Sequence, residues 1–124
     1  RNMKKILLID KNKEILEVDK KFLKDLSGIN SDTARNIEDS KIREKTYDLI
    51  FVHLGEYAGR EKPVIKVRRH QRKAFIVGVG GEMRQFYSRE DLEGCDDFYQ
   101  KAGPRAFNRS YFTNLLNEAG ILQK

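Results

Sequence analysis

Tyr47-Asp48-Leu49-Ile50-Phe51-Val52-His53-Leu54-Gly55-Glu56 decides how the chain is read. Leu49 to Val52 is an unbroken apolar run of branched and aromatic residues, the pattern of a strand buried on both faces at the centre of a parallel sheet. It ends on His53, with Gly55 and Glu56 just beyond. A core strand therefore delivers an ionisable side chain to the carboxyl edge of a sheet, where open α/β folds place their ligands.

The remaining elements fall around that strand. Lys4-Lys5-Ile6-Leu7-Leu8-Ile9-Asp10 reads as a first buried strand, basic at its entrance and acidic at its exit. Asn12 offers a helix cap, Ile15, Leu16, Val18, Phe22, Leu23 and Leu26 recur at helical spacing, and Gly28 stops the helix. Ile29 to Ala34 is a more polar strand suited to a sheet edge, and Ile37 to Lys45 predicts a short helix. After a Tyr57-Ala58-Gly59 turn, Pro63 opens a third helix whose buried side is Val64, Ile65 and Val67. Phe75 to Val79 is a fourth strand closed by Gly80-Gly81, and Glu82 to Glu93 predicts a helix ended by Gly94. Phe98 and Tyr99 sit in a fifth strand that runs into Lys101. A final helix, capped by Asn108, buries Tyr111, Phe112, Leu115, Leu116 and Ala119.

At 124 residues the chain has the size of one domain, expected over residues 3–124, with Arg1-Asn2 read as a remnant ahead of a true start at Met3. No apolar run approaches the ~20 residues of a membrane span. One cysteine, Cys95, allows no internal disulfide and favours a reducing cytoplasm. The formal net charge of +6 suits an acidic partner as well as an ordinary charged surface.

Five strands alternating with five helices imply right-handed crossovers and a parallel sheet covered on both faces. The expected architecture is a flavodoxin-like, doubly wound (βα)5 domain with strand order 2-1-3-4-5. In that order the first and third strands flank the switch point, so Asp10 and His53 emerge side by side with Lys101 nearby.

With those elements in place, the chain resembles the receiver domain of two-component response regulators from Lys4 to Ala119. Lys5-Ile6-Leu7-Leu8-Ile9-Asp10 looks like the first receiver strand, and Tyr47-Asp48-Leu49-Ile50-Phe51-Val52 is similar to the third. Gly94-Cys95-Asp96-Asp97-Phe98-Tyr99-Gln100-Lys101 resembles the segment carrying the family's lysine. The resemblance implies a pocket in which a pair of acids holds Mg²⁺, an aspartate ending the third strand accepts a phosphoryl group, a Ser or Thr ending the fourth reads it, and the lysine clamps it.

Carried over residue by residue, Asp10 matches the first acid, but Lys11 stands at the second. His53 occupies the phosphoacceptor position, followed by Gly55. Val79 replaces the switch hydroxyl, Lys101 matches the lysine, and Phe98 matches the aromatic three residues before it. Ala102 replaces the proline that usually follows the lysine, with Gly103-Pro104 beyond. An acyl phosphate needs a carboxylate nucleophile and Mg²⁺ needs hard oxygen ligands, so the resemblance implies a degenerate pocket without metal, cofactor or catalytic residue. Lys11 and Lys101 are expected to hold Asp10 in an ion pair and to repel a divalent cation.

Other readings of these residues stay open. His53 fits a core histidine bonded to its neighbours, a pH switch, a phosphohistidine, or a metal ligand with Asp10 and Glu56. Arg60, Lys62, Lys66, Arg68, Arg69, Arg72 and Lys73 read as a solvated face or as a basic docking patch for an acidic protein. Nucleic-acid binding is the less favoured reading of the stretch, which has no aromatic interleaving and no helix-turn-helix or finger pattern, and as a partner nucleic acid is expected only through an appended domain. Gly78-Val79-Gly80-Gly81 lacks the spacing of a phosphate loop and reads as a flexible strand-to-helix turn. Phe86, Tyr87, Tyr99 and Tyr111 cluster on the face receivers use for dimerisation and output. The expected role is that of a pseudo-receiver in phosphorelay signalling, non-enzymatic and cytoplasmic, acting through a protein partner or a homodimer. Its alternatives are a phosphoacceptor at His53 and a basic nucleic-acid-binding module.

Overall fold

Five strands, β1 (Ile6–Ile9), β2 (Asp32–Ala34), β3 (Leu49–His53), β4 (Phe75–Gly80) and β5 (Asp97–Gln100), form one parallel sheet in the order β2-β1-β3-β4-β5. The computed structural model describes residues 4–55, 62–101 and 108–121. The readings placed on Arg1-Asn2, Met3, Glu56, the Tyr57-Ala58-Gly59 turn, Arg60, Ala102 and Gly103-Pro104 lie outside the described residues. Helices α1 (Lys13–Ser27), α2 (Lys41–Glu44), α3 (Pro63–His70), α4 (Arg89–Leu92) and α5 (Arg109–Glu118) connect or follow the strands. The expected doubly wound order is the observed one.

Strand period explains why both faces are covered. Ile6, Leu8, Leu49, Phe51, Val77 and Val79 face one side and pack with Leu16 and Leu23 of α1 and Phe112, Leu115 and Leu116 of α5. Leu7, Ile9, Ile50, Val52 and Ile76 face the other, against Ile42, Val64 and Val67. Alternating side chains are apolar on both sides, as a central parallel sheet requires. Leu49, Phe51 and His53 share a face, so His53 belongs to the α1 and α5 side.

Helix ends follow local chemistry. The Asn12 side chain accepts the N–H groups of Glu14 and Ile15, and Gly28 closes α1 in the left-handed region at φ 77°. Val18 is 49% exposed, contrary to its reading as a buried position; the buried stripe runs Leu16, Asp19, Leu23 instead.

Two predicted helices are shorter than expected. Only Lys41–Glu44 is helical in the predicted second helix, after the turn in which Asp39 accepts the Lys41 N–H. The predicted helix over 82–93 divides into a 3-10 turn, Arg84–Phe86, and α4. Tyr87 turns inward in extended conformation, and Ser88 with Asp91 forms a capping box that starts a new helix.

Gly78 and Gly80 are strand residues, not a turn. A Cβ at Gly80 would collide with the Tyr87 ring and hydroxyl, and one at Gly78 would press on Leu54 at 3.2 Å. Glycine there admits neighbouring side chains against the sheet.

Gln71 ties α2 to α3. Its buried Nε2 donates to the carbonyls of Ile42 (2.8 Å) and Lys45 (2.5 Å), and its Oε1 accepts the Tyr47 N–H at 3.1 Å. Gln71→Leu leaves three backbone groups short of a partner; urea unfolding is expected to show a loss of about 2–4 kcal/mol with an unchanged denaturant slope.

Candidate functional site

At the carboxyl edge of the sheet, Asp10, His53, Val79 and Lys101 converge, joined from α1 by Leu16 and Asp19. The register makes this unavoidable: Ile9 lies beside Val52, and His53 lies beside Val79. Backbone bonds hold the ends of the strands, Asp10 N–H to the Ala34 carbonyl at 3.0 Å and Lys101 N–H to the Gly80 carbonyl at 2.8 Å. The space these side chains enclose is a cavity of about 10 Å³, no more than about one water can use.

Lys101 does not pair with Asp10, as the charges had suggested. Its Nζ donates to both carboxylate oxygens of Asp19, each at 2.9 Å, and both side chains are buried at 6% and 7% exposure. Asp10 instead accepts the Asn12 N–H at 2.9 Å through Oδ1. The reason is positional. Asp19 occupies the buried stripe of α1 between Leu16 and Leu23 and faces the same side of the sheet as His53 and Val79, so the lysine finds a carboxylate directly over the edge. Sequence reading passed over Asp19 because apolar residues alone were counted on the helix. Its signal was a charge three residues from Leu16 and four from Leu23, where burial demands a partner.

Burial raises the Asp19 carboxyl above the ordinary 3.8, outweighing the lowering by the hydrogen bond and charge of Lys101; the charges of Asp10 and His53 act in opposite senses. His53 differs from a core histidine satisfied by its neighbours: its Nδ1 is buried and makes no hydrogen bond among the described residues. Gly55 leaves room for the ring, since a Cβ there would stand 3.3 Å from His53 Cε1. Lys11 is exposed and does not line the cavity; its carbonyl accepts Arg35 Nε. Among the described residues no three His, Cys, Asp or Glu side chains converge as a metal site would require.

The other candidate residues divide. Phe98 is half-buried against Tyr87, with ring centroids 5.3 Å apart. Tyr99 and Tyr111 stack at 4.5 Å, Tyr111 donates to Asp97 at 2.7 Å, and Tyr99 accepts the Asn108 N–H at 2.9 Å. Internal packing thus accounts for Tyr87, Tyr99 and Tyr111. Phe86, 67% exposed, is the member of that group left facing solvent, beside the exposed Met83.

Arg68 is withdrawn from the basic patch. Its guanidinium donates to the carbonyls of Gln71, Arg72, Ala74 and Gly94 and pairs with Asp96 at 2.8 Å, bracing the end of α3 against the entrance to β5. Lys66 is half-buried, whereas Arg69 and Arg72 are exposed.

A five-stranded parallel sheet in this order, with a cluster of ionisable groups at the ends of β1, β3 and β5, defines a CheY-like domain of the flavodoxin-like class. Solved structures narrow the class to receiver domains, whose fold this chain has. A CheY-like response regulator receiver domain from Methanospirillum hungatei JF-1 is 20% identical, with a TM-score of 0.76, covering 94% of this chain and 93% of its own. A two-component response regulator from Clostridium difficile is 26% identical, with a TM-score of 0.76 and coverage of 94% and 95%. The response regulator TrrA from Thermotoga maritima, in complex with Mg²⁺-BeF, is 24% identical, with a TM-score of 0.75 and coverage of 94% and 99%. No protein-family model matches the chain, and no curated protein matches it in sequence. No helix among the described residues is long and apolar enough to cross a membrane.

The buried pair yields a double-mutant prediction. Asp19→Leu takes the carboxylate away from the buried Lys101 ammonium and is expected to cost about 3–5 kcal/mol, as is Lys101→Met for the carboxylate, whereas the double variant returns to within about 1 kcal/mol of the parent or exceeds it. Chemical denaturation of the four proteins measures this; a double variant as unstable as the sum of the singles contradicts it.

The raised Asp19 carboxyl has a definite pH sign. The folded state keeps this proton to higher pH than the unfolded chain, so the group's contribution is fully present below 3.8 and is lost as pH rises through the raised value. The stability of the parent relative to Asp19→Asn is expected to fall as pH rises above about 4, read from melts at each pH.

Proposed function

We propose that the chain is a receiver module of two-component signalling that works without phosphorylation, through contact with another protein, in one conformation held by Asp19 and Lys101. The observation that carries this reading is the bidentate contact between them at 2.9 Å. In the receiver pattern that the chain resembles, the corresponding lysine clamps the phosphoryl group. Here a carboxylate of the same chain already takes its hydrogen bonds, and the cavity beside it is about 10 Å³, far smaller than a phosphoryl group with a hydrated cation.

The donor set agrees. His53 at the acceptor position offers an imidazole in place of a carboxylate, and Val79 offers no hydroxyl to a phosphoryl oxygen. Asp10 is one carboxylate, with Lys11 next in the chain. Mg²⁺ takes near-octahedral oxygen ligation, and these residues do not fit it. The relative from Thermotoga maritima is described with Mg²⁺-BeF, and another from Burkholderia pseudomallei with a phosphorylated aspartic acid and a calcium ion. Nothing of that chemistry is assigned to this chain.

A fixed conformation suits a module whose partner recognises one state, since a ligand shifts an equilibrium only through differential affinity. Exposed Met83 and Phe86, on the turn after β4, offer apolar side chains for such a contact. The role is that of a signalling module, not of an enzyme.

Incubation with acetyl phosphate and Mg²⁺ followed by intact mass measurement is expected to leave the mass unchanged. A species heavier by about 80 Da that disappears in His53→Ala would establish the imidazole as a phosphoacceptor and overturn the reading.

A further inference from the structure

At the opposite end of the sheet from Asp10 and His53, the chain gathers cations, several of which make no ion pair among the described residues. α3 ends in Arg68-Arg69-His70, and Arg72 and Lys73 follow. Arg68 is turned inward onto four carbonyls and Asp96, and Gln71 is buried at 3% exposure, anchored to the end of α2. Those two anchors force their neighbours outward: Arg69, His70, Arg72 and Lys73 are all exposed.

Arg69, Arg72 and Lys73 make no ion pair among the described residues. Through Gln71 the exposed end of α2, carrying Arg43 and Lys45, is held beside them. Lys45 is paired with Asp32 at 3.4 Å, while the Arg43 side chain makes, among the described residues, only a 3.5 Å contact with the Glu38 carbonyl.

Asp48, Asp96 and Glu118 line the same cleft as Arg72 and Lys73, but none of them pairs with Arg69, Arg72 or Lys73 among the described residues. Asp96 is bound by Arg68, Asp48 accepts the Lys5 N–H, and Glu118 stands on the wall of the cleft that Arg72 and Lys73 border. Glu44 is exposed on α2. The α3 C-terminus favours cations in its last turn but not beyond it, so the dipole does not account for Arg72 and Lys73.

What would such a corner bind? Among the described residues the exposed large apolar side chains are Val18, Met83 and Phe86, on α1 and on the turn after β4. The corner therefore lacks the aromatic or aliphatic anchor on which protein interfaces concentrate their binding energy. A sugar-phosphate backbone needs no such anchor: cations that release condensed counterions supply essentially all of sequence-independent binding. We propose that Arg43, Arg69, Arg72 and Lys73 form a surface for the phosphate backbone of duplex nucleic acid, bound without reading its sequence. The surface belongs to the domain itself, in contrast to the expectation that nucleic acid is reached only through an appended domain. It stands apart from the Asp19–Lys101 edge and does not depend on how that edge works.

Fluorescence anisotropy of a short labelled duplex with the whole chain tests the assignment. Binding is expected to weaken roughly 40-fold between about 50 and about 200 mM salt if three phosphates are neutralised. Arg69→Glu/Arg72→Glu/Lys73→Glu is expected to lose at least about 10-fold in affinity at the lower salt. Lys13→Glu/Lys20→Glu/Lys24→Glu makes the same charge change on the exposed side of α1, and is expected to stay within about 3-fold of the parent. Circular dichroism confirms that both variants are folded. Equal losses in the two variants, or no duplex binding by the parent at the lower salt, overturn the proposal. So does a poly-glutamate peptide that binds more tightly than the duplex and is lost in the same variant, which would assign the corner to an acidic protein.

Discussion

A carboxylate and an ammonium, both buried and 2.9 Å apart, join the middle of α1 to the end of β5 across residues 82 positions apart in sequence. Neither could remain charged alone in that environment without a large desolvation penalty, so each constrains where the other must be. The contact fixes α1 over the carboxyl edge of the sheet. The edge in turn decides what the neighbouring groups can do: Asp10 turns back to its own chain, and His53, which lines a cavity of about 10 Å³, has an Nδ1 without a hydrogen bond among the described residues.

The scaffold and the edge obey different constraints. Sheet order and face coverage depend on alternating apolar positions in β1, β3 and β4, which are all present. Edge chemistry depends on a few side chains just past the ends of the strands, where substitution leaves the core untouched. A receiver fold can therefore persist while the groups at its edge change type. On the reading proposed above, Asp19 fills the electrostatic role that an incoming anion would otherwise have, from within the chain, and makes the state permanent.

β1, β3 and β4 were legible because burial on both faces leaves continuous apolar runs, and α1 because Asn12 and Gly28 mark its ends. The positions of Asp10, His53 and Lys101 followed from topology, and that of Val79 from the resemblance to receiver domains. Asp19 was not found, because apolar periodicity says nothing about a charge that lies on the same stripe. The break at Tyr87 depends on a ring seated over Gly80, a tertiary contact invisible to local propensity, although Ser88 and Asp91 carried the signature of a new cap. Arg68 shows the same gap on the surface: its charge counts like that of Arg69, yet the carbonyls of Gln71, Ala74 and Gly94 draw it inward.

Titration of the labelled protein with beryllofluoride and Mg²⁺, followed by backbone amide NMR, tests the central claim that Asp19 already occupies Lys101. The account predicts no saturable change in the amide signals of Asp10, His53, Val79 or Lys101. Saturable shifts at those residues, with the Lys101 ammonium released from Asp19, would contradict it.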